Sequence, residues 1–233
     1  MARPARTPLR KHLKEPDEFV SFTRRAILFV QTHSLALVLA AGTVAVIAGA
    51  LVGWQWYTRS QEAEASLPLA QTEQRFLAAR QSGRAEELEA ALKTFQEIAL
   101  QYRRTYAAGY ALLLSGDALY ALGRYDQAVK TYQSLLEQGA LPELRALAHL
   151  GLGYSWEAKG EWQRALAAYQ ASAEAAIPAV RREALLGSGR TYEALKDPKK
   201  ALTAYEQALT GGTPLAGGYA GLLQEKLEYL KRE

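Results

Sequence analysis

"GRYDQAVKTYQSLL" (residues 123–136), "GEWQRALAAYQASA" (160–173) and "KDPKKALTAYEQAL" (196–209) are three versions of one pattern. Aligned on Ala128, Ala165 and Ala201, they recur at spacings of 37 and 36 residues. Each has a tyrosine four residues after the alanine: Tyr132, Tyr169 and Tyr205. Each has a glycine twelve residues before it: Gly116, Gly153 and Gly189. Two copies add a glycine five residues before it, Gly123 and Gly160. A weaker copy, "ELEAALKTFQEIAL" (87–100), precedes them with Ala91 and Phe95. Self-similarity at such a period marks an array of stacked units.

The physics behind the pattern is packing. Each unit reads as two antiparallel helices. Small residues such as Gly116 and Ala128 let the pair approach closely, and the aromatic fills the gap to the next unit. Glycine at the turn supplies a left-handed or tight connection. One hairpin cannot bury its own apolar face, so the units stack. The reading predicts an all-α solenoid of about four helix pairs over 58–233. Leu222, Leu223, Leu227 and Leu230 add a striped C-terminal capping helix, after Gly211 and Gly212 stop the last repeat.

In these residues the chain resembles the tetratricopeptide repeat family. The clearest copy matches that family's pattern at Gly153, Trp156, Gly160, Ala165 and Tyr169. It departs in its longer period and in its displaced prolines, Pro142, Pro178 and Pro214. The resemblance implies a protein-binding scaffold whose first helices line a concave face. By register that face shows Tyr110, Leu113, Asp117 and Tyr120, then Leu147, Leu150, Tyr154 and Glu157, then Glu183, Leu186, Arg190 and Glu193. Two readings stand open. The face is a groove for an extended or helical segment, apolar and aromatic at one end and charged at the other. Alternatively Leu113, Leu150 and Leu186 are core, and only the tyrosines and charges are open. Arg190 is the one basic residue in this set, so a basic clamp for a C-terminal carboxylate is not evident.

Before the repeats, Leu35 to Gly53 is a run of 19 uncharged, mostly apolar residues. As a helix it spans about 28 Å, enough for a bilayer core. "AGA" at 48–50 has the shape of a signal-peptide cleavage site, but the run is too long for that reading. Trp54, Trp56 and Tyr57 close it, as aromatics do at a lipid–water interface. The reading is an uncleaved single-pass anchor over 34–57. Residues 1–33 carry seven Lys/Arg against three acids, and 58–233 carry 21 of each. Arg24 and Arg25 therefore keep the N-terminus cytoplasmic, and the repeats lie outside, in the periplasm of a double-membrane bacterium. Over 17–33, Phe19, Phe22, Ala26, Phe29 and Val30 fall at helical spacing. They give either an amphipathic juxtamembrane helix or an irregular basic flank. Residues 1–16, basic and with Pro4 and Pro8, read as a disordered cytoplasmic arm.

The arm, the anchor ending "ALVGWQWY", the stretch "SQEAEAS" and the helix "TYAAGYALL" together resemble the YfgM-type ancillary subunits of the SecYEG translocon. That resemblance implies partners among translocon subunits, periplasmic folding factors or exported clients. An assembly factor holding one fixed subunit of a secretion, pilus or cytochrome system is the alternative.

Catalytic residues are not expected. The chain has no cysteine, and its histidines His12, His33 and His149 form no set with a nucleophile. No metal site, phosphate-binding loop or cofactor motif is expected, and no nucleic-acid or small-molecule partner. Glu86, Glu87 and Glu89 suit a helix N-terminus. The small residues Ala41, Ala45, Gly49 and Gly53 offer a face for packing against another membrane helix.

Overall fold

The computed structural model describes residues 18–210 and 217–230. The arm expected over 1–16 and the stop at Gly211, Gly212 and Pro214 lie outside them. Among the described residues the chain is all-helical. Its elements are α1 (Glu18–Thr32), α2 (Ser34–Ser82), α3 (Ala85–Gln101), α4 (Tyr106–Ala121), α5 (Tyr125–Glu137), α6 (Pro142–Ala158), α7 (Trp162–Ala173), α8 (Pro178–Ala194), α9 (Pro198–Thr210) and α10 (Gly217–Leu230). Contacts divide the chain into two units, residues 1–57 and 58–233.

In the first unit, α1 is a 15-residue helix. Ile27, Leu28, Phe29 and Val30 at its end are all more than half exposed, and Arg24 and Arg25 are exposed too. The side chains of Phe19, Phe22 and Ala26 lie outside the described residues. His33 separates α1 from α2 and stacks on Phe29 at 4.6 Å between ring centroids. The apolar part of α2 is long and apolar enough to cross a membrane, and none of it is buried. Trp54, Trp56 and Tyr57 are exposed at its end.

The second unit is a solenoid. The helices pack in chain order from α3 to α10, and α4, α6 and α8 also touch one another directly. Those three are the first helices of successive pairs, with α5, α7 and α9 as their partners. Pro142, Pro178 and Pro198 each stand at the first position of a helix, where proline's missing N–H costs no bond. At the turns Gly123 and Gly160 have φ of 75° and 73°, a region glycine enters freely. The third copy places Lys196 there, at φ 60°.

The α2 helix does not stop at the aromatic cluster. Its last turns form the first helix of the first pair. Ala65, Leu69, Phe76 and Ala79 join the core, and Phe76 meets Phe95 edge-on at 5.9 Å. Glu62 accepts hydrogen bonds from the backbone N–H groups of Tyr106 and Ala107, at 2.8 and 3.0 Å. Thr105 caps the same helix start by accepting from Ala108 N at 3.0 Å. Three otherwise orphaned donors of α4 are thus satisfied.

The recurring tyrosines explain the recurring glycines. Tyr132 and Tyr169 are fully buried, and each ring is wedged between two helices. A Cβ at Gly116 or Gly151 would overlap the Tyr132 ring. One at Gly153 or Gly187 would overlap Tyr169, and one at Gly189 would overlap Tyr205. The Tyr132 and Tyr169 rings therefore each bridge their own first helix and the next. Burying such a side chain contributes about 2–3 kcal/mol. It also fixes the spacing of neighbouring pairs, which shapes the face described next.

Candidate functional site

One side of the solenoid is built from α2, α4, α6, α8 and α10 in a common register. Residues Arg80, Asp117, Tyr154, Arg190 and Lys226 occupy equivalent places, each 36 or 37 residues from the next. Gly83, Tyr120, Glu157, Glu193 and Tyr229 form a second such series. Of the residues read from the sequence as one face, Tyr110, Leu113, Asp117, Tyr120, Leu147, Leu150 and Tyr154 line a single cavity, while Glu157, Arg190 and Glu193 join ion pairs, so the two ends of the series differ.

At the far end the charges satisfy one another. Glu157 accepts a hydrogen bond from Tyr169 Oη and a bidentate pair from Arg190, with Nε to Oε1 at 2.9 Å and Nη2 to Oε2 at 3.0 Å. Burial pushes the Glu157 carboxyl up. The bonds from Arg190 and Tyr169, with the Arg190 charge, outweigh it and hold the group below its ordinary value. The next pair repeats the device. Tyr205 Oη donates to Glu193 Oε2 at 2.8 Å, and Lys226 Nζ lies 2.8 Å from the same oxygen. Each cation also lies over a tyrosine: Arg190 over Tyr154 at 5.9 Å and Lys226 over Tyr205 at 5.4 Å.

At the near end is a cavity of about 750 Å³. Tyr110, Leu113, Tyr120, Leu147, Leu150 and Tyr154 form its aromatic and apolar wall, with Asp117 in its floor and Arg80 at its edge. Tyr120 is 37% exposed, and its ring lies 6.2 Å from that of Tyr154. Three tyrosine hydroxyls each donate to a carboxylate at 2.6 Å: Tyr110 to Glu73, Tyr132 to Asp117 and Tyr154 to Glu183. Burial is the main cause that raises the Asp117 carboxyl above its ordinary value, against the opposing Tyr132 bond and Arg80 charge. Burial followed by the hydrogen bond to a carboxylate raises the Tyr110 and Tyr154 phenols.

This stack of helix pairs at a 36–37-residue period is the arrangement that the family comparison matches: a model for tetratricopeptide repeat-like domains covers residues 29–232. The chain belongs to the tetratricopeptide repeat-like domain family. No curated protein matches it.

Within this tetratricopeptide repeat-like chain the two readings of the concave leucines divide by position. Leu113 and Leu186 are core, 4% and 2% exposed, whereas Leu147 and Leu150 are half-buried in the cavity wall. Sequence reasoning missed Glu62, Glu73 and Arg80, because the flank of an apolar run does not resemble a repeat helix. Counting back 37 residues from Tyr110 and Asp117 finds Glu73 and Arg80. Arg80 thus joins Arg190 as a second basic residue here. Counting forward 36 residues from Arg190 finds Lys226 on α10, so α10 continues the repeat register while covering the last pair. His149 is half-buried on α6, where burial and then Arg145 lower its pKa. Glu86 and Glu87 stand in the first turn of α3, and Glu89 pairs with Arg124.

Proposed function

We propose that this chain is a membrane-anchored, non-enzymatic scaffold that holds a segment of another protein in the cavity lined by Tyr110, Tyr120, Leu147, Leu150 and Tyr154. The observation that carries this reading is the contrast along one face. Aromatic and apolar side chains stay open at one end, while the charges at the other end close on themselves. A fold that tends to bury such groups leaves them uncovered where a partner covers them. The apolar run of α2 supplies the anchor, and the charge bias of residues 1–33 favours a cytoplasmic N-terminus with the repeats in the periplasm. The resemblance to ancillary translocon subunits suggests that the bound segments belong to exported clients, folding factors or the translocon itself.

A photoreactive residue at Tyr154 tests the reading in membranes of cells expressing the full chain. Crosslinks to translocon subunits or to many exported proteins are expected. A single stoichiometric partner would instead favour an assembly factor. Unchanged interactions in both Tyr110→Ala and Tyr154→Ala would remove the groove from the account. A reporter enzyme fused after Glu233 that works only in the cytoplasm would reverse the orientation.

A further inference from the structure

The three latches of the clear repeats are not alike. Two are triads of tyrosine, carboxylate and cation: Tyr169–Glu157–Arg190 and Tyr205–Glu193–Lys226. In each, the cation comes from the next first helix and lies over a tyrosine ring as well as on the carboxylate. The remaining latch, Tyr132–Asp117, has the tyrosine and the carboxylate, but Tyr154 stands where the next helix would supply its cation. Arg80, from the preceding helix, forms no ion pair with Asp117 within 4.0 Å and is exposed at the cavity edge. Asp117 sits deep among protein atoms yet keeps part of its surface open to the cavity.

We propose that a basic side chain of the bound protein segment, lysine or arginine, completes this third triad, its cation seated on Asp117 and against the tyrosine rings. The inference rests on the groove reading above and names the chemistry of its occupant. Charge supports it: Asp117 lines the cavity, and Glu73 and Glu183 accept from the Tyr110 and Tyr154 hydroxyls of its wall, against Arg80 at the edge and Arg190, whose charge is already paired with Glu157. Ring electronics support it too. A phenol that donates to a carboxylate gains phenolate character, which makes its ring face more negative and a better seat for a cation. Tyr110 and Tyr154, whose rings stand in the cavity wall, both donate in this way. The cavity of about 750 Å³ also has room for the apolar neighbours of the basic residue against Leu147 and Leu150.

The test uses the full chain in detergent and fluorescence anisotropy of N-labelled, C-amidated peptides Ala-Leu-Ala-Leu-X-Leu-Ala-Leu-Gly, with X as lysine, norleucine or glutamate. The lysine peptide is expected to bind at least tenfold more tightly than the norleucine peptide. Asp117→Asn should erase that difference while leaving norleucine binding in place. Tyr154→Arg, which offers a cation from within the chain, should weaken the lysine peptide by a similar factor. Arg80→Gln should leave the lysine preference intact or enlarge it. Equal binding of lysine and norleucine, tighter binding of glutamate, or loss of the preference in Arg80→Gln would overturn the proposal. So would binding of no peptide at all. Crosslinks from position 154 that persist in that case would keep the groove reading; their absence would remove both. A melting curve for each variant separates lost binding from lost folding.

Discussion

The two ends of this face use the same helix-pair register and the same wedge of tyrosine between glycines, and they reach opposite outcomes. Glu157 and Glu193 stand where their tyrosine and the cation of the next helix both reach them. One repeat earlier that place is Tyr120, and the place of the cation is Tyr154. Two changes in side-chain type therefore turn a self-paired surface into an aromatic cavity, with Asp117 moved into the role of the glutamate. A solenoid of near-identical units can thus keep its stacking constant while one of its units is specialised for a partner.

The largest effect is expected where the shared wedge is removed. Tyr169→Ala deletes a fully buried ring held between Gly153 and Gly187, and leaves Glu157 with Arg190 alone. A loss of about 3–5 kcal/mol is expected from chemical denaturation of the full chain in detergent. Tyr169→Phe keeps the ring and loses the bond to Glu157, for about 1–2 kcal/mol. If the two variants proved equally unstable, the hydroxyl rather than the ring would hold the pairs together.

A smaller loss follows from opening the closed end. Glu157→Gln breaks the bidentate pair and should cost about 1–2 kcal/mol, since both partners are partly solvated. Its pH dependence has a definite sign. The Glu157 carboxyl is held below its ordinary value by Arg190 and Tyr169 against the cost of burial. Its stabilisation is therefore present above the unfolded value, about 4.3, and is lost as pH falls through the folded one. The wild-type and Glu157→Gln stability curves should converge in that acid window. Parallel curves down to the acid limit would show that Glu157 contributes no linked stability.

The near end depends on Glu62 in the same way that a helix depends on its cap. Glu62→Ala removes the acceptor of two α4 N–H groups and should cost about 1 kcal/mol. Hydrogen exchange should quicken at Tyr106 and Ala107 and stay unchanged in α8. Faster exchange spread through both ends would mean that Glu62 supports the whole stack rather than the cavity end.

These elements differ in how legible they were. The 36–37-residue period, the wedge tyrosines and Gly116, Gly153 and Gly189 stand out because packing repeats them in every unit. Gly151 and Gly187 face the preceding tyrosine and repeat at 36 residues, but Leu114 and Leu223 are their counterparts in the flanking units, so the period marks them in two copies only. The first pair was half hidden because its first helix continues from the apolar run, where composition speaks for the membrane and not for packing. The tyrosine–carboxylate–cation triads were invisible for a different reason. They join positions that vary in residue type from unit to unit, so only the three-dimensional pairing reveals that Glu157 and Asp117 serve the same tyrosine position.

That equivalence can be tested by copying one end onto the other. Tyr120→Glu with Tyr154→Arg places a glutamate and a cation where the closed units have Glu157 and Arg190. The pair should form, because the Cα positions follow the same register and Tyr132 is already wedged nearby. Net stability should change by less than about 1 kcal/mol, since desolvation of the new charges offsets their attraction. Peptide binding should nevertheless vanish, as the ion pair fills the cavity and satisfies its groups from within. Either single change should behave worse than the double variant. Tyr120→Glu alone adds a carboxylate beside Asp117, and Tyr154→Arg alone removes the hydroxyl that donates to Glu183. A double-mutant cycle that showed no coupling between positions 120 and 154 would mean that the open end differs from the closed end in backbone spacing, and that side-chain identity alone does not decide which unit is free to bind.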